Sequence, residues 1–151
     1  MVGAIGIMSD LYEEDIVLWS ERQSELLRRR AAGELVNEAE LDWPNIAEEI
    51  ESLGNEQRFA VESLLVQAIV HRLKAEAWPA CRDMETWLAD SMRFRGDAAS
   101  RFVSSMRQRI DLDRIYRRAL RAIPRSVDGL AAPPLAPVCP FTLDWLLGEE
   151  P

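Results

Sequence analysis

Residues 59–73, FAVESLLVQAIVHRL, decide the fold. On a helical wheel their apolar side chains leave almost no polar arc, and a helix apolar nearly all round has to be covered on every side. The segment therefore predicts the central helix of a bundle, or a seam between two copies. Its stripe extends upstream in register from Ile46, Ile50 and Leu53 through Gln57, Ala60, Leu64, Ala68 and His71. Pro44 suits a helix's first turn, and Trp43 before it is pushed out of helical geometry. Gly54-Asn55 reads as a stop followed by a new N-cap. A break at Gly54 and one unbroken helix both fit this pattern; an unbroken 44–77 helix would be roughly 50 Å long, unusual for so small a domain, which tilts the expectation to a break.

The flanking segments are helical too. Asp10 and Glu13 resemble a capping box, Tyr12, Ile16, Trp19, Leu26 and Leu27 recur at helical spacing, and Gly33 is a C′ stop, which predicts a helix over 10–31. An acidic connector at 33–42 has room for one helical turn. Pro79 ends the central helix, and Met84, Trp87, Leu88, Met92, Phe102 and Met106 mark the next, over about 80–107. Asp111 caps a helix over about 111–123. Five prolines and glycines between Gly129 and Pro140 make an extended strap, and Thr142 caps a short terminal helix carrying Leu143, Leu146 and Leu147. No strand pattern or internal repeat stands out. The reading is an all-α, irregular bundle of four main helices, with a Pro-rich strap and a short docked C-terminal helix, in one domain over 10–151 after a disordered extension over 1–9.

Composition excludes several classes. The 151 residues include 48% hydrophobic and 29% charged side chains, which is ordinary for a globular domain. No apolar run approaches the roughly 20 residues of a membrane span. MVGAIGIMSD has no basic n-region and is not read as a signal peptide; Met8 is the expected initiator. Cys81 and Cys139 lack metal-ligand spacing, which fits a reduced, cytoplasmic chain. The net charge of −8 is unevenly spread. Asp10 to Glu56 carries 14 acidic and 4 basic residues, net −10, whereas Arg82 to Arg125 carries 11 basic and 6 acidic, net +5. Such halves complement each other within one bundle or between two copies.

The stretches LYEEDIVLWSERQSELLRRR, LDWPNIAEEIESLGNEQRFAVESLLVQAIVHRLKAEAW and CPFTLDWLL resemble the bacterial family catalogued as domain of unknown function 29. The resemblance spans about Asp10 to Leu147. The pairing of EEIESLG with HRLK is its most specific part. It implies an all-helical fold and a prokaryotic source, with Asp15, Trp19, Glu48, Glu49, Glu51, Gly54, His71 and Lys74 as landmarks. It implies no activity. The connector at 33–42 looks longer than is usual there, and residues 80–120 match only in pattern.

Three constellations are candidates for chemistry. Glu48, Glu49 and Glu51 share a helix side at spacings that suit a divalent cation, but no Glu-x-x-His pair accompanies them, and a solvated face opposite Ile46, Ile50 and Leu53 is the plainer reading. His71, the only histidine, lies on the apolar stripe with Ser63, Gln67 and Lys74 nearby, while the first helix sets Gln23 in its stripe and Asp15 at its edge. Polar groups on core-facing arcs cost about 1–3 kcal/mol each unless bonded, so Asp15, Gln23, Gln67, His71 and Lys74 form either a structural network or a pocket with His71 as acid–base. Arg114, Arg117, Arg118, Arg121 and Arg125 fall within about a 100° sector, with Arg107 in line, which suits phosphate or an acidic partner as well as solvent.

No nucleophile elbow and no phosphate-binding glycine loop is present. The expectation is a non-enzymatic helical interaction module that self-associates as a homo-oligomer, with no cofactor or metal. A small hydrolase or metal-assisted phosphoesterase using His71 with carboxylates is the first alternative. A nucleic-acid-associated regulator using Arg107 to Arg125 is the second.

Overall fold

The computed structural model describes residues 10–149, so the extension expected over 1–9 lies outside the described residues. The chain divides into two compact units, one ending at Gly54 and the other beginning at Asn55.

In the first unit, residues 10–14 are helical, and Asp15 then leaves helical geometry (φ −151°, ψ 84°) to become the N-cap of α1, Ile16–Ala31. Its carboxylate accepts the Leu18 amide at 3.0 Å. The helix expected over 10–31 is therefore interrupted, because a short acidic side chain competes with the backbone for a first-turn N–H. Gly33 ends α1 as expected. At φ +83° it lets its own amide reach the Arg30 carbonyl and the Glu34 amide reach that of Arg29, both at 3.0 Å. The connector holds one 3₁₀ turn, Glu38–Glu40, capped by the Asn37 side chain. Trp19, Leu26, Leu41 and Ile46 are buried together as this unit's core.

Helix α2, Trp43–Ala77, runs 35 residues without a break. The expected interruption at Gly54 does not occur. One interior glycine costs about 1 kcal/mol, less than the backbone bonds and the shared register that a break would give up. The stripe behaves differently from expectation in its first half. Ile46 is buried, but Ile50 is 69% and Leu53 62% exposed. The small core of the first unit gathers around Trp19 and Leu41 and does not enclose them.

In the second unit Val61, Leu65, Ala68 and Ile69 of α2 have no exposed surface, as a central helix requires. Around them pack Ala98 of α3 (Met84–Arg101), Met106 of a 3₁₀ turn, Ile115, Tyr116 and Ala119 of α4 (Leu112–Ala122), and Leu146 of α5 (Leu143–Leu146). Asp111 caps α4 by accepting the Arg114 amide, and Thr142 caps α5 by accepting that of Trp145. The strap begins with a hairpin of two-residue strands, β1 (Ser126–Val127) and β2 (Leu130–Ala131). Asp128 and Gly129 turn it at φ 49° and 79°, the conformation that an Asp-Gly pair adopts readily. The Trp78 indole donates to the Leu130 carbonyl, and the Tyr116 hydroxyl to that of Ala136. Both bonds pin the strap to helices. Four longer helices, a strap and a docked terminal helix make up the all-α fold among the described residues.

Candidate functional site

His71 sits on α2 facing α3, and its surroundings are set by helical periodicity. Its Nδ1 lies 2.8 Å from the Gln67 carbonyl, one turn back. A carbonyl only accepts, so Nδ1 carries the proton in this bond and Nε2 is the nitrogen turned outward. Nε2 stands 3.9 Å from Oδ2 of Asp90, and the ring packs 5.2 Å from that of Phe94. Asp90 is shared, since Arg93 donates to its other oxygen at 3.2 Å. The Gln67 side chain is exposed and contributes only its backbone. Lys74 lies one turn further on with its ammonium 4.3 Å from the Trp87 ring centre, a cation–π contact. Chemically, this corner holds an imidazole, a carboxylate and an ammonium, each with a packing partner.

Asp15 and Gln23 find their partners within the first unit. Asp15 is exposed and serves as the α1 cap. Gln23 is 2% exposed and fully used: its carbonyl accepts the Asp42 amide at 2.9 Å, and its Nε2 donates to the Glu40 carbonyl at 3.0 Å. Asp42 is itself buried, accepting from the Trp19 indole at 3.1 Å and from Asn45 at 2.7 Å. Sequence reasoning missed Asp42. Its place just before the Pro44 turn was the signal.

The acidic cluster is divided by role. Glu48 and Glu51 are exposed, whereas Glu49 is half-buried and accepts the Tyr12 hydroxyl at 2.6 Å. That bond, reinforced by burial and the charges of Glu49, Glu48 and Glu13, pushes Tyr12 up to about 12. Among the described residues, no three histidine, cysteine or acidic side chains converge to hold a metal ion.

The arginine stripe is divided as well. Arg114 donates to Glu62 at 3.2 Å. Arg117, Arg118, Arg121 and Arg125 are exposed and make no ion pair among the described residues. Arg107 instead holds Asp144 at 2.5 Å and Glu149 at 2.6 Å, which raises its affinity for its proton. Glu62, also missed from sequence, is the most buried carboxylate among the described residues of the second unit, at 2% exposure. It sits inside FAVESLLV, with Arg58 one turn back donating at 2.7 Å. A lone acid in an apolar run with an arginine four residues before it was the available clue.

Arg95 reaches the end of α5, donating to the Leu146 carbonyl at 3.3 Å and to that of Trp145. Burial, and then the nearby charge of Arg72, lower its proton affinity.

A family model described as domain of unknown function DUF29 matches residues 11–150. A crystal structure of an alpha-helical protein of unknown function from Rhodospirillum rubrum is similar in fold, with a TM-score of 0.62 and 25% sequence identity. The match covers 92% of this chain and 90% of that one. No curated protein is significantly similar to the chain.

Proposed function

The chain belongs to the DUF29 family, whose description names no activity, and on that premise we propose that it is a non-enzymatic helical interaction module that self-associates. The observation that carries this reading is the outer side of α2, where Ile50 and Leu53 stand 69% and 62% exposed on a well-formed helix. Apolar side chains exposed one turn apart favour coverage by a partner, because each buried square ångström of apolar surface contributes about 25 cal/mol.

A second copy is the occupant that charge favours. The segment from Asp10 to Glu56 is net −10 and that from Arg82 to Arg125 net +5, so the acidic segment of one copy attracts the basic segment of another while like segments repel.

Sedimentation across a dilution series tests the reading. The expected result is reversible, concentration-dependent association, weakened about tenfold or more by Leu53→Glu while helicity is retained. A wild-type chain that stays monomeric up to millimolar concentration, about the weakest range of specific association, overturns it.

A further inference from the structure

We propose that the acidic groove on α1 of one copy receives the arginine face of α4 of another copy, an inference that rests on the self-association reading above. The groove is a shallow, open one of about 460 Å³, lined by Leu18, Glu21, Arg22, Glu25, Leu26 and Glu40. Positions 18, 21, 22 and 25 follow the i, i+3, i+4, i+7 rule, so one face of α1 forms its wall. Leu26 lies at its base, 9% exposed, and Leu18 at its lip, 36% exposed.

The carboxylates of this groove are incompletely paired, although the charges of Glu25 and Glu40 also act on nearby Arg29. Three carboxylates face one guanidinium. Glu21 makes no ion pair among the described residues, and Glu25 reaches only Arg28, at 3.9 Å with both side chains mostly exposed. Glu40 takes one long bond from Asn37 at 3.3 Å. A groove of net −2 with an apolar base selects a cationic, partly aliphatic occupant.

The same chain presents one. Burial of Ile115, Tyr116 and Ala119 fixes the rotation of α4, so Arg117, Arg118 and Arg121 must face outward. Arg117 and Arg121 are one helical turn apart, as are Glu21 and Glu25, and side chains so spaced stand about 6 Å apart. Two guanidinium–carboxylate pairs therefore align in one register. Arginine favours this contact because its planar fork meets a carboxylate with two parallel bonds. Its aliphatic stem lies against Leu18 while the head reaches the acid.

The test uses full-length protein in three forms: wild type, the double variant Glu21→Arg/Glu25→Arg, and the double variant Arg117→Glu/Arg121→Glu. All four substituted residues are exposed, and circular dichroism checks that helicity is unchanged. Each variant alone carries like charges on both faces and is expected to associate about tenfold or more weakly than wild type. An equimolar mixture of the two variants is expected to recover the wild-type association, because every contact again joins unlike charges. Rising salt is expected to weaken the wild-type contact as the screening length falls from about 10 Å to about 3 Å.

If both variants associate as wild type does and mixing changes nothing, while Leu53→Glu still dissociates the assembly, this contact is wrong and the self-association reading stands. If wild type never associates, that reading fails first. If Arg117→Glu/Arg121→Glu abolishes binding to a DNA duplex but leaves assembly unchanged, the arginines serve phosphate and the proposal is overturned.

Discussion

Glu62 and Arg114, 52 positions apart in sequence, meet at 3.2 Å, and the Glu62 carboxylate that joins them is 2% exposed. Arg58 closes the cluster from the other side at 2.7 Å. The acid thus ties α4 to α2 from inside the apolar core. Glu62→Ala is expected to lower stability by about 2–4 kcal/mol, because it removes the Arg58 guanidinium's only ion-pair partner among the described residues and leaves it a long 3.4 Å bond to Asn55, in a site where only 19% of that side chain meets water. Arg114→Ala is expected to cost about 1 kcal/mol or less, since half of its side chain is exposed. Urea unfolding of the two variants checks the asymmetry. Equal, small effects would mean that water reaches Glu62 in solution.

Gly54 lies within α2, where an added Cβ would meet nothing within 4 Å. Gly54→Ala therefore removes unfolded-state freedom without a clash. It is expected to raise stability by about 0.5–1 kcal/mol and to increase helical circular dichroism slightly. A loss of stability would show that the helix breaks at this position.

Sequence pattern made the burial of Val61, Leu65, Val66, Ala68, Ile69, Val70 and Leu73 legible, because it depends only on local periodicity. The same holds for the stop at Gly33 and the caps at Asp111 and Thr142, each of which satisfies a nearby backbone group. What stayed hidden was set by competition or by distance. Gly54 carries a genuine stop signal that a continuous register overrides. Asp15 carries a cap signal lost among Asp10, Glu13 and Glu14. Asp128-Gly129 is an ordinary hairpin signal, masked by the prolines that follow. Gln23 and His71 were legible as polar groups on apolar stripes, but their partners were not. Glu40, Asp42 and Asp90 come from other elements, and no local rule names them.

Gln23 offers a test of the first unit alone. Its amide satisfies the Asp42 amide and the Glu40 carbonyl, both backbone groups of the connector. Gln23→Leu keeps the volume but leaves both groups without a partner, at about 1–3 kcal/mol each if water stays out. Hydrogen exchange should speed up at the Asp42 amide by about tenfold or more. Unchanged exchange at Asp42 would contradict the bond.

Tyr12 and Glu49 give the pH dependence. The Tyr12 hydroxyl donates to the Glu49 carboxylate at 2.6 Å, and the phenol is pushed from 10.0 up to about 12. A bond that only the neutral phenol can make is present in full below the unfolded value and is lost as pH rises from about 10 to about 12. The first unit should therefore keep this contribution across neutral pH and lose it only in strong alkali. Tyr12 and Tyr116 are the only two tyrosines, so Tyr116→Phe isolates the signal. In that background the phenolate absorbance should appear near pH 12, and adding Glu49→Gln should bring its midpoint back toward 10, because the repelling carboxylate is gone. Equal midpoints with and without Glu49 would show that the two side chains are apart in solution.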